Sequence, residues 1–428
     1  MVDLSARLVA RFQAHLPPGL SLGEGFLYPD YGGGSILNIP DTICRLLGAP
    51  DIGHGPLLPE MWAPLADGVR QVLLILVDAL ALHRLQRWMA EGDSPLWSQL
   101  VRDGLLSALT SVVPSTTSSA LTTLWTGRSP AEHAIIGYEM WLKEYGIVAN
   151  TILQSPMTFQ NDAGSLARAG FDPQRFLALP VLGMHLAAHG VKTHVFQHAS
   201  IHGSGLSRMF QQDAERRPFN TYTDLWTNVR QLWETAGASE RRYTYVYWGE
   251  VDHFSHRYGP DDERPAGEFS SFSQAFERFF LSRLSPARRK NTLVLLCADH
   301  GMIATPQLEH YNLRHHPGLL HKLHILPTCE NRLALLFLRP GQGKGTLEYI
   351  DRTWPGHFSL LDSRHLLDSG LLGPGRPHPA LRDRIGDYAV FARQDAYWWW
   401  QAKENYLLGR HGGLDPQEML VPFLAVRI

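Results

Sequence analysis

Three apolar runs constrain this chain more than any other feature, because each gives way at its end to acidic or imidazole side chains. They are VLLILVDAL at 72–80, YTYVYW at 243–248 and TLVLLCADH at 292–300, and RLALLFL at 332–338 is a fourth run of the same kind. Short continuous apolar runs bounded by turn residues read as strands buried on both faces, the kind found in parallel sheets covered by helices. Between them, SSALTTLWTG, VLGMHLAAHG and FSQAFERFFLSRL carry helical periodicity. The expected class is therefore α/β, a central and largely parallel sheet flanked by helices on both faces. Ligands of such sheets gather at the carboxyl ends of the strands, which is where these runs turn polar.

At 428 residues the chain has room for a large domain and an insertion. Residues 1–70 read as an N-terminal arm packed on a core, 71–304 as the first part of that core, 305–405 as an inserted cap subdomain, and 406–428 as the core's C-terminal part. The cap is inferred from a broken rhythm at HHPGLLHKLH, RPGQGKGT and LLGPGRPHP. GQGKGT lacks the GxxxxGK[ST] spacing of a phosphate loop and reads as a turn, as does PDYGGGS.

Composition removes several function classes. With 44% hydrophobic and 19% charged residues the chain is neither disordered nor fibrous. Lys and Arg number 39 against 41 Asp and Glu, so no global field holds it on nucleic acid or an anionic membrane. Cys44, Cys297 and Cys329 are too few and too widely spaced for a disulfide framework or a CxxC zinc module, which points to a reducing compartment. The N-terminal segment reads as a surface helix rather than a signal peptide, and the apolar run at 72–82 is too short to span a bilayer and contains Asp78. A soluble, cytoplasmic protein is expected.

Chemistry-bearing residues cluster at the strand ends. Asp78 closes the first run, and taken alone it reads as a helix cap. PSTTSSALTTLWTG is a hydroxyl-rich turn entering a helix, whose amide-rich mouth suits either an N-cap or a nucleophile beside an anion. In EVDHFSHRYGP, Asp252 and His256 are four apart and share a helical face, as an ion pair or as zinc-class ligands. Asp299 and His300 follow the third run, and GRHGG offers His411. Together, six ligand-type side chains and one hydroxyl suffice for two divalent ions clamping an in-line phosphoryl displacement.

These motifs, in this order, resemble the alkaline phosphatase superfamily, most closely its type I phosphodiesterase and nucleotide pyrophosphatase branch. EVDHFSHRYGP resembles the branch's E-P-D-xxx-H-xx-G-P pattern with Val251 in place of proline, and ADHGM resembles its S-D-H-G-M with Ala298 in place of serine. The resemblance implies one metal held by Asp252, His256 and His411 and another held by Asp78, Asp299, His300 and the nucleophile, with Zn²⁺ favoured and Mn²⁺ tolerated. The nucleophile lies nine positions before the Thr of a T-G pair, which selects Thr117 over Ser115, Thr116 and Ser118. Ser118 stands where the branch usually has a base-stacking aromatic residue. Gly137 and Tyr138 follow His133–Ile136 where it usually has an oxyanion-holding Asn, so a backbone amide or Tyr138 takes that role. No C-x-P-x-R sulfatase site is present.

The implied activity is two-metal hydrolysis of phosphodiester or pyrophosphate bonds through a phosphothreonine, on a small phosphate ester such as a nucleotide. The alternatives are a phosphomonoesterase or phosphonate hydrolase, or a metal-binding regulatory or defence-system component, to which HGGLDPQEMLVPFLAV bears some likeness. The aromatic run at 397–400 reads as buried packing.

Overall fold

The computed structural model describes residues 2–158, 162–237 and 239–428. Eight strands form the central sheet: β1 (Val2–Asp3), β2 (Gln71–Val77), β3 (Leu105–Thr110), β4 (Val191–His198), β5 (Glu215–Phe219), β6 (Arg241–Trp248), β7 (Thr292–Cys297) and β8 (Leu420–Arg427). Their spatial order is β1-β3-β8-β7-β2-β6-β4-β5. Every neighbouring pair is parallel except the two made by β8, which runs antiparallel to β3 and β7. The three apolar runs thus become β2, β6 and β7, adjacent in the middle of the sheet and buried along nearly their whole length, as their lack of polar alternation requires.

Helices surround this sheet. Glu263–Phe279 packs against Tyr222–Glu234 through Trp226, Phe272 and Phe276. Trp248 at the end of β6 stacks on Phe272 with ring centroids 4.2 Å apart, so the aromatic core reaches the edge where β6 turns into its polar residues.

A second sheet has seven strands. The fourth apolar run forms Leu333–Leu336 in this sheet, not in the parallel core, pairing antiparallel with Tyr388–Ala392 and Thr328–Cys329. Its other half is Glu139–Leu142, Ile147–Asn150 and Ser155–Pro156, so strands from 139–156 and from 328–392 build one sheet. A smaller hydrophobic cluster around Tyr311, Trp354 and Trp398 packs beside it, and all of Tyr397, Trp398, Trp399 and Trp400 are buried.

The stretch GQGKGT is not simply a turn. Only its start turns, and Gly343 opens a helix to Thr353. Glycine disfavours helix, but the buried face of Thr346 and Ile350 anchors this one in the protein interior.

Candidate metal centre and nucleophile

Register brings the predicted residues together. Leu76 of β2 pairs with Cys297 of β7, and Val77 pairs with Trp248 of β6, so three parallel strands end level. Asp78 follows β2, Asp299 and His300 follow β7, and Asp252 lies in the first turn of helix α2 (Glu250–Tyr258) directly after β6. His256 is one turn further along α2. Because β8 is antiparallel, its start lies at this same edge, with Leu420 opposite Thr110. His411, just upstream, is fixed by a bridge between Ser115 and Gly412 and by pairing of Gly409–Arg410 with Ile303–Ala304.

The three imidazoles are held alike. Nδ1 of His256 is 2.8 Å from the Gly409 carbonyl, that of His300 is 2.8 Å from the Gly301 carbonyl, and that of His411 is 3.2 Å from the Ser115 carbonyl. A carbonyl only accepts, so each Nδ1 carries the proton and each Nε2 presents a lone pair. Those lone pairs point at carboxylates. Asp252 Oδ1 is 3.3 Å from His256 Nε2 and 3.8 Å from His411 Nε2, while His300 Nε2 is 3.4 Å from Asp78 Oδ1 and 3.6 Å from Asp299 Oδ2.

Asp78 Oδ1, Asp252 Oδ1 and Asp299 Oδ2 are buried without any hydrogen-bond partner. Such oxygens are costly to leave unpaired. Two ligands about 2.1 Å from a tetrahedral ion lie about 3.4 Å apart, close to the separations seen. The donor set therefore fits divalent cations. Asp252, His256 and His411 converge as one group, and Asp78, Asp252 and His300 as another. Asp252 offers an oxygen to both, a sharing that the sequence resemblance does not imply.

The electrostatics are those of crowded acids. Burial pushes the Asp78 carboxyl well above its ordinary range, and Asp299 and Asp252 beside it push the same way. Burial also raises Asp299. For Asp252, burial opposes ionisation, but His256, His411 and His300 together hold its carboxyl below the usual range. Burial, reinforced by His300 and His256, holds His411 neutral well below ordinary imidazole values. A cation would relieve the repulsion among the acids and use the neutral imidazole.

Helix α1 (Thr117–Thr126) enters from a loop after β3 and ends at Gly127, whose φ of +64° is the left-handed close of the helix. Its N-terminus has no side-chain cap, so its first amides are free for an anion. Thr117 Oγ1 faces the cluster, 3.2 Å from His300 Nε2. The neighbouring hydroxyls do not compete: Ser115 donates to the Gly413 carbonyl at 2.7 Å, Thr116 donates to Glu330 Oε1 at 2.6 Å, and Ser118 is fully buried.

Two cavities flank the cluster and share Asp252. One, of about 600 Å³, runs past Asp78, Tyr247, Tyr222 and His198. The other, of about 770 Å³, contains Thr117, Tyr138, Glu330, Arg257 and Lys403. Arg128 and Lys143 face elsewhere, paired with Glu132 and Asp383.

Two residues escape sequence reasoning. Tyr247 donates its hydroxyl to Asp78 Oδ2, yet in YTYVYW it is indistinguishable from a core aromatic. Glu330, whose carboxyl burial pushes up to about 7, arrives from the second sheet with no local signal.

The family profile described as type I phosphodiesterase / nucleotide pyrophosphatase matches residues 72–361. No curated protein sequence matches the chain. Among solved structures, murine ectonucleotide pyrophosphatase / phosphodiesterase 5 is similar at 17% identity and a TM-score of 0.59, over 83% of this chain and 87% of that one. An inactive variant of the murine protein was solved in complex with AMP, and it matches at 16% identity over the same shares with a TM-score of 0.59. Phosphonoacetate hydrolase from Sinorhizobium meliloti 1021, in complex with phosphonoformate, is similar at 18% identity and a TM-score of 0.58, over 83% and 89%. The strand-end cluster, the alkaline-phosphatase-like sheet and a profile match over more than half of its length together place the chain in the type I phosphodiesterase / nucleotide pyrophosphatase family.

Proposed function

We propose that the protein is a metal-dependent hydrolase of phosphodiester or pyrophosphate bonds that works through a covalent intermediate on Thr117. The observation carrying this reading is the set of three unpaired buried carboxylate oxygens facing imidazole lone pairs, with the Thr117 hydroxyl turned toward them. Asp252, His256 and His411 would hold one ion, and Asp78, Asp299, His300 and Thr117 another, with Asp252 near both. Two divalent ions there, Zn²⁺ or Mn²⁺, would withdraw charge from phosphoryl oxygens and make a nearby hydroxyl or water easier to ionise.

The chain's own part follows from its geometry. Thr117 Oγ1 gives up its hydroxyl proton to solvent and forms a bond to phosphorus as the ester or anhydride oxygen opposite it departs and takes up a proton. The free amides at the mouth of α1 donate hydrogen bonds to the charged phosphoryl oxygens. Water then attacks phosphorus and the Thr117–phosphorus bond breaks, regenerating the hydroxyl and releasing the phosphorylated product. AMP and phosphonoformate, bound by the fold's relatives, are compact phosphorus oxyanions, and the substrate on this reading is a diester or anhydride of comparably small size.

The test is a panel of aryl monoester, aryl diester and dinucleotide substrates with protein reconstituted with Zn²⁺ or Mn²⁺, followed by acid quench and mass spectrometry. Diester cleavage with phosphate trapped on Thr117 is expected. Absence of any metal-dependent cleavage would sink the proposal.

A further inference from the structure

Glu330 sits beside the nucleophile although nothing in the Thr117 turn calls for an acid there. Its Oε1 accepts two hydrogen bonds, from the Thr116 hydroxyl at 2.6 Å and from the Tyr138 amide at 2.8 Å. It therefore ties the residue immediately before Thr117 to the loop after His133. Among the described residues Oε2 has no donor, and Glu330 lines the cavity that holds Thr117 and His411.

The backbone is bent to deliver it. Cys329 has a φ of +81°, a left-handed conformation that a side-chain-bearing residue rarely adopts. Gly137 makes room: a Cβ there would lie 2.7 Å from Cys329 Cα. On the other side, a Cβ on Gly412 would lie 2.5 Å from Glu330 Cβ. Two glycines and one strained cysteine thus hold a carboxylate against the nucleophile turn and the segment bearing His411.

A phosphomonoester dianion carries one more negative charge on its non-bridging oxygens than a diester does. A fixed carboxylate in a partly buried site opposes that extra charge. No arginine or lysine of the cavity is placed to cancel this locally. Arg257 and Lys403 are exposed at the rim, where they attract any phosphate. The guanidinium of Arg410 is occupied, donating to Thr305, Asn405 and the Leu407 carbonyl and stacking 3.7 Å from the Tyr397 ring centroid.

We infer that Glu330 is a specificity-determining residue, selecting singly charged diester or anhydride phosphorus over dianionic monoesters at Thr117. The inference rests on the hydrolase reading above. Glu330→Gln keeps an oxygen acceptor for Thr116 and Tyr138 while removing the charge, so the turn should persist.

The test compares wild type and Glu330→Gln, both reconstituted with Zn²⁺, at about pH 8.5, where the carboxyl is ionised. Two readouts are taken: the ratio of kcat/KM for an aryl monoester to that for the matching diester, and calorimetric affinity for inorganic phosphate relative to dimethyl phosphate. Both ratios should shift toward the dianion at least fivefold in the variant, and a smaller shift in the substrate ratio overturns the inference. If wild type cleaves neither ester, the hydrolase reading fails instead, and the phosphate ratio alone decides: a fivefold shift keeps the charge-selecting role of Glu330 and a smaller one removes it.

Discussion

The hydroxyl of Thr117 donates to Nε2 of His300 across 3.2 Å, and this one contact separates Thr117 from the other hydroxyls around it. Ser115, Thr116 and Ser118 are spent on structure or fully buried. Thr117→Ala should keep the fold and metal content while lowering turnover about a thousandfold or more. Thr117→Ser should retain part of it, and Ser118→Ala should cost little in rate. Steady-state kinetics on an aryl diester checks the series, and a Thr117→Ala enzyme of near-normal rate would move the nucleophile elsewhere.

Asp252 has an oxygen near both ligand groups, whereas His411 belongs to one. His411→Ala should therefore lose about half the bound metal, and Asp252→Ala more than half, since coordination depends on each ligand's donor atom. Elemental analysis after reconstitution decides between shared and separate ligand sets. Equal metal content in the two variants would show that Asp252 serves a single ion.

How far the sequence reveals this arrangement depends on the range of the interactions. Asp78, Asp299 and His300 are legible because a buried strand that turns polar at its end leaves a local mark, and Asp252 and His256 because a helical face repeats every four residues. His411 is legible only through motif order, since its approach depends on β8 running antiparallel. Tyr247 and Glu330 are not legible at all. The first hides among core aromatics, and the second is delivered by Cys329 pairing with Glu139, nearly two hundred positions apart in the chain. RLALLFL shows the same limit, because a buried strand does not encode which partner strands it joins.

The second sheet and the His411 segment are locked by a fully buried ion pair. Arg332 Nη2 lies 2.7 Å from Glu418 Oε2, and Glu418 Oε1 accepts the Gly413 amide at 2.8 Å. Arg332→Met would leave the Glu418 carboxylate buried without its cation, at a cost of about 3–5 kcal/mol. Chemical denaturation should show that loss, with lowered metal affinity because Gly413 is two residues from His411. The double variant Arg332→Met/Glu418→Gln should recover part of the stability, and a single variant as stable as wild type would contradict the account.

His133 makes stability depend on pH. It is fully buried, its Nδ1 accepts the Ile135 amide at 3.0 Å, and its Nε2 lies 3.0 Å from Thr123 Oγ1. Burial, helped by Arg384 and His378, pushes its pKa from 6.5 down to about 3. Protonation would also cost the bond from Ile135, because an imidazolium nitrogen cannot accept. The sign follows from proton counting: between the two values the unfolded chain binds a proton that the folded chain refuses. The contribution is fully present above 6.5 and is lost as pH falls below it. From pH 7 to pH 5 the loss amounts to about 2 kcal/mol. Other buried imidazoles, such as His194, add to the wild-type slope, so the comparison must be with His133→Gln, which cannot titrate. Denaturant titrations at both pH values should give the variant a smaller fall than wild type by about 2 kcal/mol, and parallel slopes for the two proteins would show that His133 protonates as readily folded as unfolded.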